Sequence, residues 1–199
     1  MGPKPTESID RKTEILNSAL LVFFKYGFRK TSMDEVARAA DVSRQGLYLH
    51  FATKEDLFRA VVQNTLQNSL DAAKKILNDN ELSIEERIAS AFDAWMGQYV
   101  GMLASGASDL VEAGKNLVGP TIYEYEERFL KGIGKTIQES DLKSFYSAAG
   151  LKVKDLVETL NRTSIGLKHS SGSRAEFKEG INVAVRILCT PLGNRYEKK

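Results

Sequence analysis

Apolar residues recur along this chain at intervals of three and four, the spacing that lines one face of an α-helix. Ile15, Leu16, Ala19, Leu20, Phe23 and Phe24 make the first stripe and predict a helix from about Ile9 to Tyr26, with Gly27 as its stop. Ser32-Met-Asp-Glu35 reads as a capping box opening a short helix, whose Met33, Val36, Ala37 and Ala40 share a face. After the turn Asp41-Val42, Ser43 caps a third helix ending at His50, and Thr53 caps a long fourth from Lys54 to about Leu77. Ser83-x-x-Glu86 is a second capping box, followed at helical spacing by Ile88, Phe92, Trp95, Met96, Tyr99 and Leu103. A short helix is expected over Asp109–Lys115, then another from Pro120 to about Glu139, because proline suits a first helical turn. Two last long helices are expected near Val153–His169 and Arg174–Cys189, separated by Ser-Ser-Gly-Ser. No period-two run of β-branched residues interrupts this series, so the predicted fold class is all-α.

Composition narrows the picture slightly. With 42% hydrophobic and 27% charged residues the chain reads as a globular protein with a real core. No apolar run approaches the roughly 20 residues needed to span a bilayer, and MGPKPTESID lacks the apolar stretch of a secretory signal. The single cysteine, Cys189, excludes a disulfide framework or thiolate metal cluster within one chain, and a cytoplasmic setting is expected. The net charge is +2, and residues 1–52 carry that whole excess through eight Lys/Arg and six Asp/Glu. A basic bias at one end is compatible with a local phosphate footprint.

The candidate chemistry lies in the second and third helices. Two helices of seven or eight residues joined by a three- or four-residue turn have helix-turn-helix proportions, and helices this short need the first helix to cover them. In the third, Leu47 and Phe51 fall four apart and are expected to point inward. Arg44 and Tyr48 form the opposite pair, with Gln45 beside them. Arg can bond bidentately to guanine and Gln to adenine in the major groove, while Tyr48, His50 and Lys54 are within reach of phosphates.

The stretch from Thr31 to Leu57, TSMDEVARAADVSRQGLYLHFATKEDL, resembles the N-terminal signature of TetR/AcrR-family transcriptional regulators. The resemblance rests on Thr31-Ser32 with Val36-Ala37, on Val42-Ser43, on Leu47-Tyr48-x-His50-Phe51 and on Lys54-Glu55-x-Leu57. It implies an N-terminal three-helix DNA-binding domain over 1–52 and a larger helical effector-binding and dimerisation domain over 53–199. By this likeness Ser32 and Ser43 cap helices and touch the DNA backbone, Arg44 and Gln45 read bases, and Tyr48, His50 and Lys54 contact phosphates. Asp41 replaces the family's usual turn glycine, and Gly46 replaces a common Thr or Ser of the DNA-contacting set. The implied partners are a palindromic double-stranded operator, a second copy bound through the last two long helices, and a small-molecule effector of apolar or aromatic character.

Phe92, Trp95, Met96, Tyr99 and Met102, with Tyr123 and Phe129 from a later helix, are candidates for lining the effector cavity; the alternative is that they are packed core. Two histidines and one cysteine make no Cys/His or Ser/His/Asp constellation, and no metal spacing or phosphate-cradling glycine loop is present. The sequence therefore predicts no enzyme, no catalytic residue, no metal and no cofactor. The expected function is a ligand-responsive regulator, a repressor released by its effector. An effector-independent DNA-binding protein or an activator on the same scaffold is the alternative.

Overall fold

The computed structural model describes the backbone of residues 5–101 and 108–193. Among the described residues there is no strand, and nine α-helices follow in order: α1 Pro5–Lys30, α2 Met33–Ala39, α3 Arg44–His50, α4 Lys54–Leu77, α5 Ile84–Trp95, α6 Ser108–Gln138, α7 Asp141–Ala148, α8 Val153–Ser170 and α9 Arg174–Gly193. They belong to two compact units. One holds the residues up to Leu66 together with the stretch ending at Ile122; the other holds Gln67–Gly101 and the residues from Tyr123 onward.

In the first unit the predicted stripe of α1 is the core. Ile15, Ala19 and Phe23 are buried against Val36 of α2, Leu47 of α3 and Leu57 of α4. Phe23, Phe28 and Phe58 meet ring to ring with centroids 5.0 to 6.0 Å apart, fastening the end of α1 to α4. Gly27 breaks α1 where the sequence placed its stop, with φ 81° and ψ 169°, a conformation open to glycine and costly to anything with a side chain. The break is held from α6: the Asp109 carboxylate accepts the Arg29 N–H at 2.9 Å. Arg29 also pairs with Glu112 at 2.8 Å.

The second unit buries Ile88 and Phe92 of α5, Phe129, Ile133 and Ile137 of α6, Leu156 and Leu160 of α8, and Phe177, Ile181 and Val185 of α9. Arg174 at the start of α9 grips Asp93 of α5 with two parallel bonds of 2.9 and 2.8 Å. The Tyr146 hydroxyl of α7 donates to the Leu188 carbonyl at 2.8 Å.

Three elements differ from expectation. The helix expected to run on through Leu103 ends at Trp95, and a single 3-10 turn, Gly97–Tyr99, follows. Gly97 lies so close to the Asp93 carboxylate that a side chain there would collide with it. Pro120 does not begin a new helix: Ser108–Gln138 is one helix with Pro120 inside it. Proline's missing N–H removes one bond of the ladder, and the flanking turns on both sides carry the helix through. Finally, α7 was not anticipated, because its eight residues present only Leu142 as a fully buried position.

Candidate nucleic-acid interface

The turn of the first unit is built from local caps. The Ser32 hydroxyl accepts the Glu35 N–H at 3.2 Å, and the Glu35 carboxylate accepts the Ser32 N–H at 2.8 Å. The Ser32 N–H, and then its hydroxyl donating to the same carboxylate at 2.9 Å, hold the Glu35 carboxyl below its ordinary pKa. Asp41 takes the left-handed conformation at φ 51°, which aspartate tolerates better than most residues. Its carbonyl accepts a bond of 2.5 Å from the Arg11 guanidinium of α1. Ser43 then starts α3, accepting the Gly46 N–H at 2.9 Å.

That start sets the rotation of α3. Leu47 is 0% and Phe51 4% exposed, so the opposite face points to solvent. Arg44, Gln45, Tyr48 and His50 are all exposed on it, and Gly46 is half-buried. Arg44 is not a loose side chain: Nη1 lies 3.0 Å from Asp34 Oδ2 of α2, and the guanidinium sits 5.6 Å from the centroid of the Tyr48 ring. Gly46 carries no hydroxyl toward DNA, and a Cβ there would crowd only the Ser43 cap, at 3.1 Å.

Lys54 has another setting. Its ammonium donates to the carbonyls of Phe28, Thr31 and Arg29 at 2.9, 3.0 and 3.3 Å, and lies 4.7 Å from the centroid of the Phe28 ring. Three donors meet three acceptors, so the lysine caps the last carbonyls of α1 in this structure. Sequence reasoning missed two cations beside the same surface. Arg11 supports the turn, and the Lys12 ammonium lies 5.7 Å from the Phe51 ring centroid. Their signal was a basic pair early in α1, indistinguishable there from a solvated helix end.

The aromatic candidates of the second unit do not form one group. Phe92, Trp95, Met96 and Phe129 are buried, with Trp95 and Phe129 stacked at 5.0 Å and Phe92 edge-on to Phe129 at 5.1 Å. The half-buried Tyr99 hydroxyl meets the Ser69 hydroxyl at 3.0 Å. Burial raises its pKa, against the opposing bonds to Ser69 and Gln98. Tyr123 is 72% exposed, apart from that cluster, and Met102 lies outside the described residues. Burial first, and then Glu85, push the Cys189 thiol up to about 11, so it carries little thiolate. Among the described residues no group of three or more His, Cys, Asp or Glu is placed to hold a metal, and no helix is long and apolar enough to cross a membrane.

A short capped helix, buried on one side and presenting Arg, Gln and Tyr on the other across a tight turn from a second short helix, has the geometry of a helix-turn-helix. Residues 15–61 match the family model described as bacterial regulatory proteins, tetR family. The chain is 30% identical over 127 residues to the HTH-type transcriptional regulator YfiR of Bacillus subtilis, a match covering 63% of this chain and 55% of that one. It is 25% identical over 146 residues to the icaADBC biofilm-operon negative transcriptional regulator IcaR of Staphylococcus aureus, covering 66% and 72%. The transcriptional regulator FadR of Bacillus subtilis, solved in complex with stearoyl-CoA, has the same fold at a TM-score of 0.59 and 15% identity, over 88% of this chain and 96% of that one. Over these N-terminal residues the chain is similar to TetR-family transcriptional regulators, and its helical fold as a whole resembles theirs. It spans about half the length of the curated relatives that it matches at 30% identity or more.

Proposed function

We propose that the protein is a ligand-responsive repressor that binds a palindromic operator as a homodimer, in the cytoplasm, and is released by a small-molecule effector. The observation that carries the DNA-reading part is the rotation of α3: Leu47 and Phe51 are spent on the core, leaving Arg44, Gln45 and Tyr48 exposed on the outer face. Arg44 and Gln45 read base edges, while Tyr48, His50 and the hydroxyls of Ser32 and Ser43 meet phosphates, with Gly46 allowing close approach. Lys54 shapes this surface by holding the end of α1, and contacts a phosphate only if it gives up one of its three carbonyls. IcaR is a negative regulator by name, which favours repression; operator position decides the sign, and activation is the alternative.

Dimerisation through α8 and α9 is supported by Ile165, Val183 and Ile187, which stay 40, 49 and 68% exposed while Leu156, Leu160, Phe177, Ile181 and Val185 of the same helices are buried. A response to ligand is supported by FadR, whose structure holds stearoyl-CoA. Effector binding would act by favouring a spacing of the two reading helices that no longer fits the operator. The stacked, buried Trp95 and Phe129 favour the second reading, an effector-independent DNA-binding protein, insofar as the aromatic cluster is already filled by its own side chains.

The test is selection from random duplex DNA with the purified chain. A two-fold symmetric site with half-sites one helical turn, or a small multiple of it, apart is the expected outcome. Recovery of asymmetric sites alone overturns the reading.

A further inference from the structure

We propose that the second unit carries a binding site for a polyphosphorylated small molecule, in a cleft walled by the last turns of α4, the start of α5 and the second half of α6. The cleft has a volume of about 760 Å³, within the range of ligand sites. Five cations line it, Lys74, Arg87, Arg128, Lys131 and Lys135, against one carboxylate, Glu139. Among the described residues Leu77 is the only apolar side chain on its walls, so a polar occupant fits it best. Gly132 opens the floor, since a Cβ at that position would come within 3.2 Å of Leu77 Cδ1.

The charges are available. Arg128, Lys131 and Lys135 pair with Glu124, Glu127 and Glu139 at 2.5, 2.9 and 3.9 Å, each partner four residues away along the chain and all exposed. Such exposed pairs are weak, so an incoming anion recruits the cations at small cost. Lys74 and Arg87 make no ion pair among the described residues. Arg87 is the focal group. It is half-buried, its guanidinium makes a long bond of 3.4 Å to the Leu77 carbonyl, and among the described residues its Nε is shielded from water without a partner. A guanidinium left short of acceptors in a concave basic site matches the planar fork that phosphate oxygens accept. One carboxylate would neutralise only one of five positive groups, so two or more linked phosphates fit the site better. A duplex is too wide to enter a cleft of this size, which selects a small molecule over nucleic acid.

This names a ligand class for the effector proposed above and rests on that reading only for its regulatory meaning. Binding is measured without DNA, so a negative result leaves the operator reading standing. The full chain is titrated calorimetrically with inorganic tripolyphosphate and with ATP at constant ionic strength. Saturable binding of one molecule per chain is expected, weakened about tenfold or more by Arg87→Gln and by Lys131→Gln and unchanged by Lys178→Gln on α9. Lys131 is largely exposed, so its variant keeps the test open even if Arg87→Gln fails to fold. Absence of saturable heat, or equal weakening by Lys178→Gln, overturns the proposal. So does random-sequence duplex DNA that displaces tripolyphosphate and loses affinity in the same two variants, because that assigns the cations to a polynucleotide surface.

Discussion

Arg44 reaches its working position already committed to a carboxylate. Asp34 holds it at 3.0 Å with both side chains more than half exposed, a pair of the kind that contributes at most about 1 kcal/mol and yields readily to a better partner. Asp34→Asn is therefore expected to raise affinity for all duplexes severalfold, by removing a negative charge beside the phosphates, and to loosen base preference at the step Arg44 reads. Arg44→Ala is expected to lose about 1–3 kcal/mol of discrimination against the wrong base. Anisotropy titrations against matched and mismatched operators separate the two; unaltered discrimination in Arg44→Ala would remove it from the reading face. Lys54 divides differently. Losing three bonds to carbonyls, Lys54→Met is expected to cost about 1–3 kcal/mol in urea unfolding, with the slope of log affinity against log salt unchanged. A slope lowered by about one with stability intact would instead assign the ammonium to a phosphate. The outward set of α3 was legible because inward and outward positions follow from helical spacing alone. The occupation of Lys54 was not, since its acceptors lie 23 to 26 residues earlier and are backbone atoms with no sequence signature.

Elements with local punctuation were the readable ones. Ser32, Ser43 and Ser83 cap the helices that follow because a cap needs only a hydroxyl and the next turn, both encoded within four residues. Where a boundary depends on a distant partner, sequence spacing misleads. The apolar spacing runs past Trp95, where α5 ends beside the Asp93–Arg174 pair, and Pro120 leaves α6 unbroken although proline more often marks a start. Gly27 shows both sides. The glycine marks the break plainly, while its anchoring by Asp109 of α6 could be seen only in three dimensions. Alanine at this position is strained by φ 81° and would bring its Cβ to 2.5 Å from Asp109 Oδ1, displacing the carboxylate that accepts the Arg29 N–H. Gly27→Ala is expected to destabilise the first unit by about 2 kcal/mol or more. A denaturation midpoint within error of the parent chain would show that the break relaxes without Asp109.

At the scale of the molecule, chain order does not follow the two units: α4 contributes to the first up to Leu66 and to the second from Gln67, and α6 divides after Ile122. The periodicity of α8 and α9 announced apolar stripes without saying what covers them. Leu160, Ile181 and Val185 are buried in the chain's own core, whereas the aliphatics Ile165, Val183 and Ile187 of the same helices stay exposed. Isolated exposed aliphatics are ordinary on protein surfaces, but two of these stand four residues apart on α9, one helical turn along the same face. If that face joins two chains, a buried charge there has no partner and association fails, while each chain keeps its fold because the side chain was never part of its core. Ile187→Glu is accordingly expected to sediment as a monomer with an unfolding free energy per chain close to that of the isolated parent subunit. Its operator affinity is expected to fall toward that of a single half-site, since the second reading helix is no longer held at high effective concentration. Val185→Glu, two residues away and wholly buried, is expected to unfold instead, which separates an interface position from a core one on the same helix. An unchanged sedimentation coefficient with full operator affinity in Ile187→Glu would mean that this face of α9 is plain solvent-exposed surface and that the two-fold contact lies elsewhere.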